Sequence, residues 1–418
     1  MKKSLKIDNW QVALMAVFSL FGNVINYFYQ IYLGNSLQVS DYGAFNTINS
    51  LITNVCIVYS PVCILICKVT AVDRDNLKKS KKVLLQLAKL VLLFCAIITL
   101  LSIVFRSILF KNISTDNTWF TIAIIIISFS VVGIYSVVNG AFQGVGEYGW
   151  FGFFSLALMA LKCAYVVVTH SSLDNAILSV LLSDFIIMVI MMLFLVLKYR
   201  GMDEPEIKTS YSKTEIGQLY SETFFVQMVY SLCINSGELL LLQYFYTNKA
   251  IGFYSAAITI AKIGMYVTVL LSNVVLPETA LRVKEGAHRV KPILVKSIGL
   301  ALIIGGGYAG TLFLFGNRII MILYGKAYVL SAEMMKWMIL YVIGLCVLPI
   351  VHNFFVGINR IRIYTFIMLI TMMATIAAIA LLHADILYLP LIMGIAFVCI
   401  EALSIAYLCR IYGREKNE

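Results

Sequence analysis

Twelve apolar stretches, each near the ~20 residues needed to cross the hydrocarbon core of a bilayer, recur along this chain of 418 residues. In a hydrocarbon solvent each backbone N–H and C=O must be bonded within the protein, so every such stretch reads as an α-helix. They lie near 10–33, 43–67, 83–105, 118–142, 149–169 and 176–198. After a polar interval the rest lie near 217–244, 251–276, 293–316, 331–356, 361–382 and 386–409. The pattern is that of an all-α membrane protein. It predicts an N-terminal lobe of six spans, 1–198, an inter-lobe loop, 199–216, and a C-terminal lobe of six spans, 217–418. The division between the last two spans rests on His383, Ala384 and Asp385 alone.

A soluble domain carries about 25% charged residues, whereas this chain carries 13%, with 61% hydrophobic. Its net charge of +11 could suggest nucleic acid, and the placement of Lys and Arg decides the matter. With the N-terminus inside, 22 of the 32 basic residues fall in cytoplasmic segments, counting Lys198 and Arg362 at the adjoining span ends, and five in external loops. The other five, Lys89, Lys162, Lys262, Lys296 and Lys336, fall within spans. Such an asymmetry is the positive-inside pattern. It predicts that both termini and the 199–216 loop are cytoplasmic, and it explains the charge without nucleic acid. The basic start, Met1 to Lys6, resembles a signal peptide, but the apolar run behind it is too long and lacks a small-residue cleavage site. It reads as the first span.

Nine cysteines fall inside apolar segments or at their ends, no CxxC pair occurs, and the four histidines are scattered. The sequence therefore predicts no disulfide framework, metal site or cofactor. Gly305-Gly-Gly307-Tyr-Ala-Gly310 fits a dinucleotide-binding pattern but lies within an apolar span with no strand before it. Gly306 and Gly310 are expected instead to form a small-residue packing face.

The chain also repeats itself at an offset near 210. Ser19, Asn23 and Asn26 in the first span are echoed by Ser231, Asn235 and Glu238 in the seventh. Gly43-Ala-Phe45-Asn46 is echoed by Gly252-Phe-Tyr254-Ser255, and Asn139 and Gly144 by Asn353 and Gly357. Six spans per half give the halves the same topology, so their pseudo-twofold axis is expected along the membrane normal. At ~100° per residue, Ser19, Asn23, Asn26 and Gln30 share one helix face, as do Asn46, Ser50 and Thr53 in the second span. Ser231, Asn235 and Glu238 share a face of the seventh span, and Ser255, Thr259 and Lys262 one of the eighth. Lipid would not tolerate these faces, so spans 1, 2, 7 and 8 are expected to line a water-filled cavity. Any single Ser or Thr could instead join helices. An ionisable group at mid-bilayer costs about 2.5–3.5 kcal/mol even on the lenient insertion scale, which points Lys262 into the cavity. Lys162 and Asp184 stand at similar depths on adjacent spans and can neutralise each other, while Glu401 lies deep with no evident partner.

Leu33-Gly-Asn-Ser-Leu-Gln-Val-Ser-Asp41-Tyr42-Gly43-Ala-Phe45, Glu238-Leu-Leu-Leu-Leu, Ile251-Gly252-Phe-Tyr254-Ser-Ala-Ala257 and Leu276-Pro277 resemble the polysaccharide exporters of the multidrug/oligosaccharidyl-lipid/polysaccharide (MOP) superfamily. The resemblance covers nearly the whole chain. It implies a Wzx-type flippase of the bacterial inner membrane that moves an undecaprenyl-diphosphate-linked oligosaccharide from the cytoplasmic to the outer leaflet for surface polysaccharide synthesis. On this reading Lys262 attracts the diphosphate. Asn23, Asn26, Gln30, Asn46, Ser50, Ser231, Asn235 and Thr259 line the sugar path, and Glu238 is a candidate for a coupling proton or Na⁺. The implied partners are the lipid-linked sugar, the bilayer, and a polymerase with its chain-length regulator. A multidrug antiporter of the same superfamily is the first alternative. A membrane-embedded polymerase or glycosyltransferase is the second, disfavoured by short external loops that offer no room for catalytic residues.

Overall fold

The computed structural model describes residues 9–72, 81–105, 118–169, 172–200, 213–235, 237–283 and 287–414. Most of the 199–216 loop and the side chain of Glu222 lie outside them. All regular structure among the described residues is helical. The first half contains α1 (Asn9–Ser36), α2 (Val39–Val55), α3 (Ser60–Val72), α4 (Lys81–Val104), α5 (Thr118–Val145), α6 (Tyr148–Thr169) and α7 (Leu173–Tyr199). The second contains α8 (Lys213–Ile234), α9 (Glu238–Leu242), α10 (Asn248–Ala261), α11 (Ile263–Arg282), α12 (Ala287–Leu323), α13 (Val329–Met334), α14 (Ile339–Gly357), α15 (Ile361–Leu382) and α16 (Leu389–Arg414). Among the described residues eleven helical segments are long and apolar enough to span a membrane, and Thr223–Ile234 is a shorter apolar helix.

Packing groups the chain into two compact units. One comprises the chain up to Leu37 and from Thr47 to Ser231; the other comprises Gln38–Asn46 and everything from Leu232 onward. In the first unit α5 is the hub, packed by α3, α4, α6 and α7, with α1 lying along α6. In the second unit α14 is the hub, packed by α11, α12, α15 and α16. Helix α14 is hydrophobic all round, and Leu345, Leu348, Ile350, Val351 and Phe354 are fully buried, as befits a core helix. The two hubs have matching neighbours in matching chain order. Helices α2 and α10 begin at Val39 and Asn248, an offset of 209, and α6 and α15 begin at Tyr148 and Ile361, an offset of 213. A close approach repeats as well. A Cβ on Gly144 would fall 1.6 Å from Thr70 Oγ1, and one on Gly357 would fall 2.7 Å from Thr279 Cβ. Asn353 Nδ2 in α14 donates to the Ser272 carbonyl of α11 at 3.0 Å.

Several spans differ from their expected form. The second is interrupted by a 3₁₀ turn, Cys56–Tyr59. The seventh is not one helix over 217–244: α8 stops at Ile234 and α9 starts at Glu238, with the Gly237 N–H bonded back to the Leu232 carbonyl at 3.1 Å. The eighth divides at Lys262, which ends α10 and begins α11. The ninth, α12, runs well past 293–316 on both sides. The start assigned to the tenth is a separate short helix, α13, and a 3₁₀ turn, Met335–Trp337, before α14 begins at Ile339. Exposed Glu333 and Lys336 lie in that irregular stretch. Gly306 and Gly310 do not form a packing face among the described residues, because none of their atoms lies within 4 Å of a Cβ built on either. Their neighbour Gly305 packs instead, with its Cβ position 3.0 Å from Cys346 Cβ. A small-xxx-small spacing fixes a face but not what it meets.

The division between the last two spans falls where the sequence places it. His383 adopts a left-handed conformation (φ 46°) that closes α15, and the Asp385 carboxylate accepts the Leu387 N–H at 2.9 Å. In the first unit Lys162 of α6 lies near enough to Asp184 of α7 for the charges to interact. Lys198 pairs with Glu147 just before α6.

Candidate functional site

The polar residues singled out by the repeat fall into four local groups. On α1, Ser19, Asn23, Asn26 and Gln30 are all half-buried, while Leu20, Phe21, Val24 and Phe28 on the remaining surface are exposed. The helix thus separates an amide face from a lipid-compatible face.

The second group joins spans two and seven within the first unit. Asn54 Nδ2 donates to the Ser50 carbonyl at 2.9 Å and to Ser50 Oγ at 3.2 Å. Ser231 Oγ donates to Asn54 Oδ1 at 3.3 Å. Asn54 was not marked by the stripe, and it is the residue that links two that were.

The third group surrounds Asn46 in the second unit. Asn46 Nδ2 donates to the Tyr42 carbonyl one turn back, at 2.9 Å. The Tyr42 and Tyr324 hydroxyls lie 3.3 Å apart, and Thr259 bonds to both tyrosines. Tyr328 closes the cluster, its ring centroid 5.1 Å from that of Tyr324. Thr259 Oγ1 also donates to the Ser255 carbonyl at 2.7 Å.

The fourth group lies at the breaks in spans seven and eight. Lys262 is 8% exposed, and its Nζ donates to the Ile234 carbonyl at 2.8 Å. Ile234 is the last residue of α8, so this carbonyl is one of the acceptors a helix C-terminus leaves without an intrahelical donor. A cation suits the negative end of the helix dipole there. Glu238, the first residue of α9, is 1% exposed. Tyr341 Oη donates to its Oε1 at 3.1 Å, and Oε2 has no hydrogen-bond partner. The charges of Lys262 and Glu238 act on each other. Asn235, in the turn between the helices, is exposed.

Stripe reasoning missed the tyrosines. Tyr42, Tyr324, Tyr341 and Tyr364 are each buried with the hydroxyl hydrogen-bonded. A buried Tyr ordinarily needs a partner for its hydroxyl, so treating each intramembrane Tyr as half polar would have marked them.

No family model and no curated protein matches the sequence. Solved structures do match. An inward-facing multidrug resistance MATE family transporter of the MOP superfamily aligns with TM-score 0.78 at 12% identity, over 97% of this chain and 99% of that one. An outward-facing structure of a MATE family transporter aligns with TM-score 0.68 at 12% identity, over 98% and 96%. A MOP superfamily transporter from Pyrococcus furiosus, described as having a binding pocket of reversed polarity that suggests a different function, aligns with TM-score 0.63 at 14% identity, over 97% and 95%. Full-length agreement at such low identity carries the fold: this chain is a multi-pass, all-helical membrane protein with the two-lobed fold of the MOP superfamily transporters.

Proposed function

We propose that the chain is a flippase that moves a polyprenyl-diphosphate-linked oligosaccharide from the cytoplasmic to the outer leaflet by alternating access, for surface polysaccharide assembly. The observation that carries this reading is the chemistry of the first two spans. Residues 10–67 contain nine carboxamide side chains and a single carboxylate, Asp41. Carboxamides both donate and accept hydrogen bonds, as sugar hydroxyls require. Organic cations are better met by carboxylates and aromatic faces. A diphosphate cannot cross hydrocarbon unaided, and on this reading Lys262 is the cation that receives it. Asn23, Asn26, Gln30, Asn46 and Asn235 supply polar contacts for the sugars, and Glu238, with one carboxylate oxygen unbonded, is the coupling group. Product release would serve a polymerase and chain-length regulator in a bacterial inner membrane.

The second reading is a drug antiporter, favoured by the multidrug transporters among its structural neighbours and by the buried acid at Glu238. The discriminating experiment reconstitutes the full chain in liposomes. One preparation carries a short polyprenyl-diphosphate-linked saccharide and the other a lipophilic cationic dye. Translocation of the lipid-linked sugar, scored by its accessibility to an external glycosidase, supports the flippase. Transport of the dye without translocation of the sugar overturns it.

A further inference from the structure

Glu401 has no role in the function proposed above, yet it sits in the core of the second unit. It lies in mid-helix on α16 with 6% exposure. Tyr364 Oη, from α15, donates to Glu401 Oε1 at 3.0 Å and also lies 3.4 Å from the Leu348 carbonyl of α14. Oε2 has no hydrogen-bond partner. No cation lies within ion-pair distance of it among the described residues. A carboxylate held this way leaves an anionic oxygen against apolar atoms, one of the costliest arrangements in a protein interior.

The surroundings can be named helix by helix. Helix α15 presents the Tyr364 hydroxyl. Helix α14 presents His352, whose ring centroid is 5.9 Å from that of Tyr364. The end of α8 presents the buried thiol of Cys233, within electrostatic range of both Glu401 and Glu238. None of these supplies a permanent positive charge. Glu238 differs, because Lys262 lies beside it. A metal cation would need several oxygen ligands, and among the described residues the oxygen shown in contact with the Glu401 carboxylate is that of Tyr364, which donates. A proton on Oε2 would remove the uncompensated charge.

Helix α16 also links this group to the other acid. One turn before Glu401, Phe397 packs on Tyr341 with ring centroids 5.3 Å apart, and Tyr341 holds Glu238. The contact is tight, since a Cβ on Gly344 of α14 would fall 2.5 Å from Phe397 Cβ. Small shifts of α16 therefore reach Tyr341 directly.

We propose that Glu401 is a proton-binding site of the second unit, taking up and releasing one proton in the transport cycle and linked to Glu238 through Phe397 and Tyr341. Uptake forms an O–H bond at Oε2 and turns the carboxylate into the neutral acid; release returns the proton to water. The proposal rests on the transporter reading but not on which substrate is carried.

The test uses infrared difference spectroscopy of the full-length protein in liposomes across pH, without substrate. The expected result is a protonated-carboxyl band at neutral pH that disappears at alkaline pH and is absent from Glu401→Gln. Thermal unfolding of Glu401→Gln should stay within a few degrees of wild type, because the amide keeps the shape of the neutral acid. Retention of every protonated-carboxyl band in Glu401→Gln overturns the proposal, as does a Glu401 band that no pH removes. Loss of the band on replacing choline by sodium at fixed pH also overturns it, in favour of a metal cation. In a transport assay Glu401→Gln should lose about tenfold or more of the stimulation given by a pH gradient. If no lipid-linked sugar moves even in wild type, the flippase reading fails while the infrared result still judges the proton site.

Discussion

Gly43 and Gly252 each lie against the backbone of the other's helix. A Cβ on Gly43 would fall 1.9 Å from the Asn248 carbonyl oxygen, and one on Gly252 would fall 2.0 Å from that of Val39. Val39 and Asn248 are the first residues of α2 and α10, each four residues before its own glycine. The contact is therefore reciprocal, formed by equivalent residues of the internal repeat.

Gly43→Ala and Gly252→Ala should each destabilise the protein by about 1–3 kcal/mol or more, since the methyl can be accommodated only by moving backbone. Gly306→Ala and Gly310→Ala meet nothing within 4 Å among the described residues and should be neutral or stabilise by up to about 1 kcal/mol through helix propensity. Thermal unfolding of the four variants in detergent checks both halves of the statement. Equal effects at all four positions would refute the contact.

Lys262→Met should cost roughly 1–3 kcal/mol, because it strips the Ile234 carbonyl of its donor and leaves Glu238 without the neighbouring cation. Adding Glu238→Gln should recover part of that loss. A double-mutant cycle on unfolding free energy reads the coupling, and strict additivity would show that the two side chains do not act as a unit. Lys262→Arg should retain translocation of a diphosphate-linked sugar, because a guanidinium also binds phosphate oxygens.

Single cysteines placed near Ser4, Thr209 and Asn417 in a background lacking the native cysteines should resist an impermeant thiol reagent applied to intact cells and react after permeabilisation. The basis is the skew of Lys and Arg, 22 against five. Labelling of both termini from outside would reverse the expected orientation.

His383→Gly should raise stability by about 0.5–1 kcal/mol, because His383 holds a left-handed backbone (φ 46°) that a Cβ disfavours and glycine does not. Asp385→Ala removes the carboxylate that accepts the Leu387 N–H and should lower it by about 1 kcal/mol. Unfolding midpoints of the two variants should move in opposite directions.

Hydropathy made the spans legible because bilayer thickness fixes their length, and the half-chain offset made the repeat legible. The breaks were harder to read. Lys262 was visible as a cation in an apolar run, but not as the junction of α10 and α11, since a junction held by tertiary contacts has no local signal as strong as proline. The amide stripe of α1 could be read because Asn and Gln are polar on any scale. The tyrosine groups could not, because Tyr42 and Tyr341 count as apolar while their hydroxyls do polar work. Gly306 and Gly310 show the opposite failure, a spacing with no partner behind it.

The matching neighbours of the hub helices α5 and α14 have a genealogical consequence. A six-helix ancestor, duplicated and joined in tandem, would give both hubs the same surroundings. The two halves differ in charge. In the register that pairs spans one and seven, Glu238 corresponds to Asn26; at the offset of 209, Lys262 corresponds to Thr53, and at the later offset of 213, Glu401 corresponds to Met188. Conversely, Lys162 and Asp184 of the first copy correspond to Thr375 and Phe397 of the second. The packing is thus common to both halves while each carries its own ionisable groups, so that one repeated architecture holds two different electrostatic specialisations.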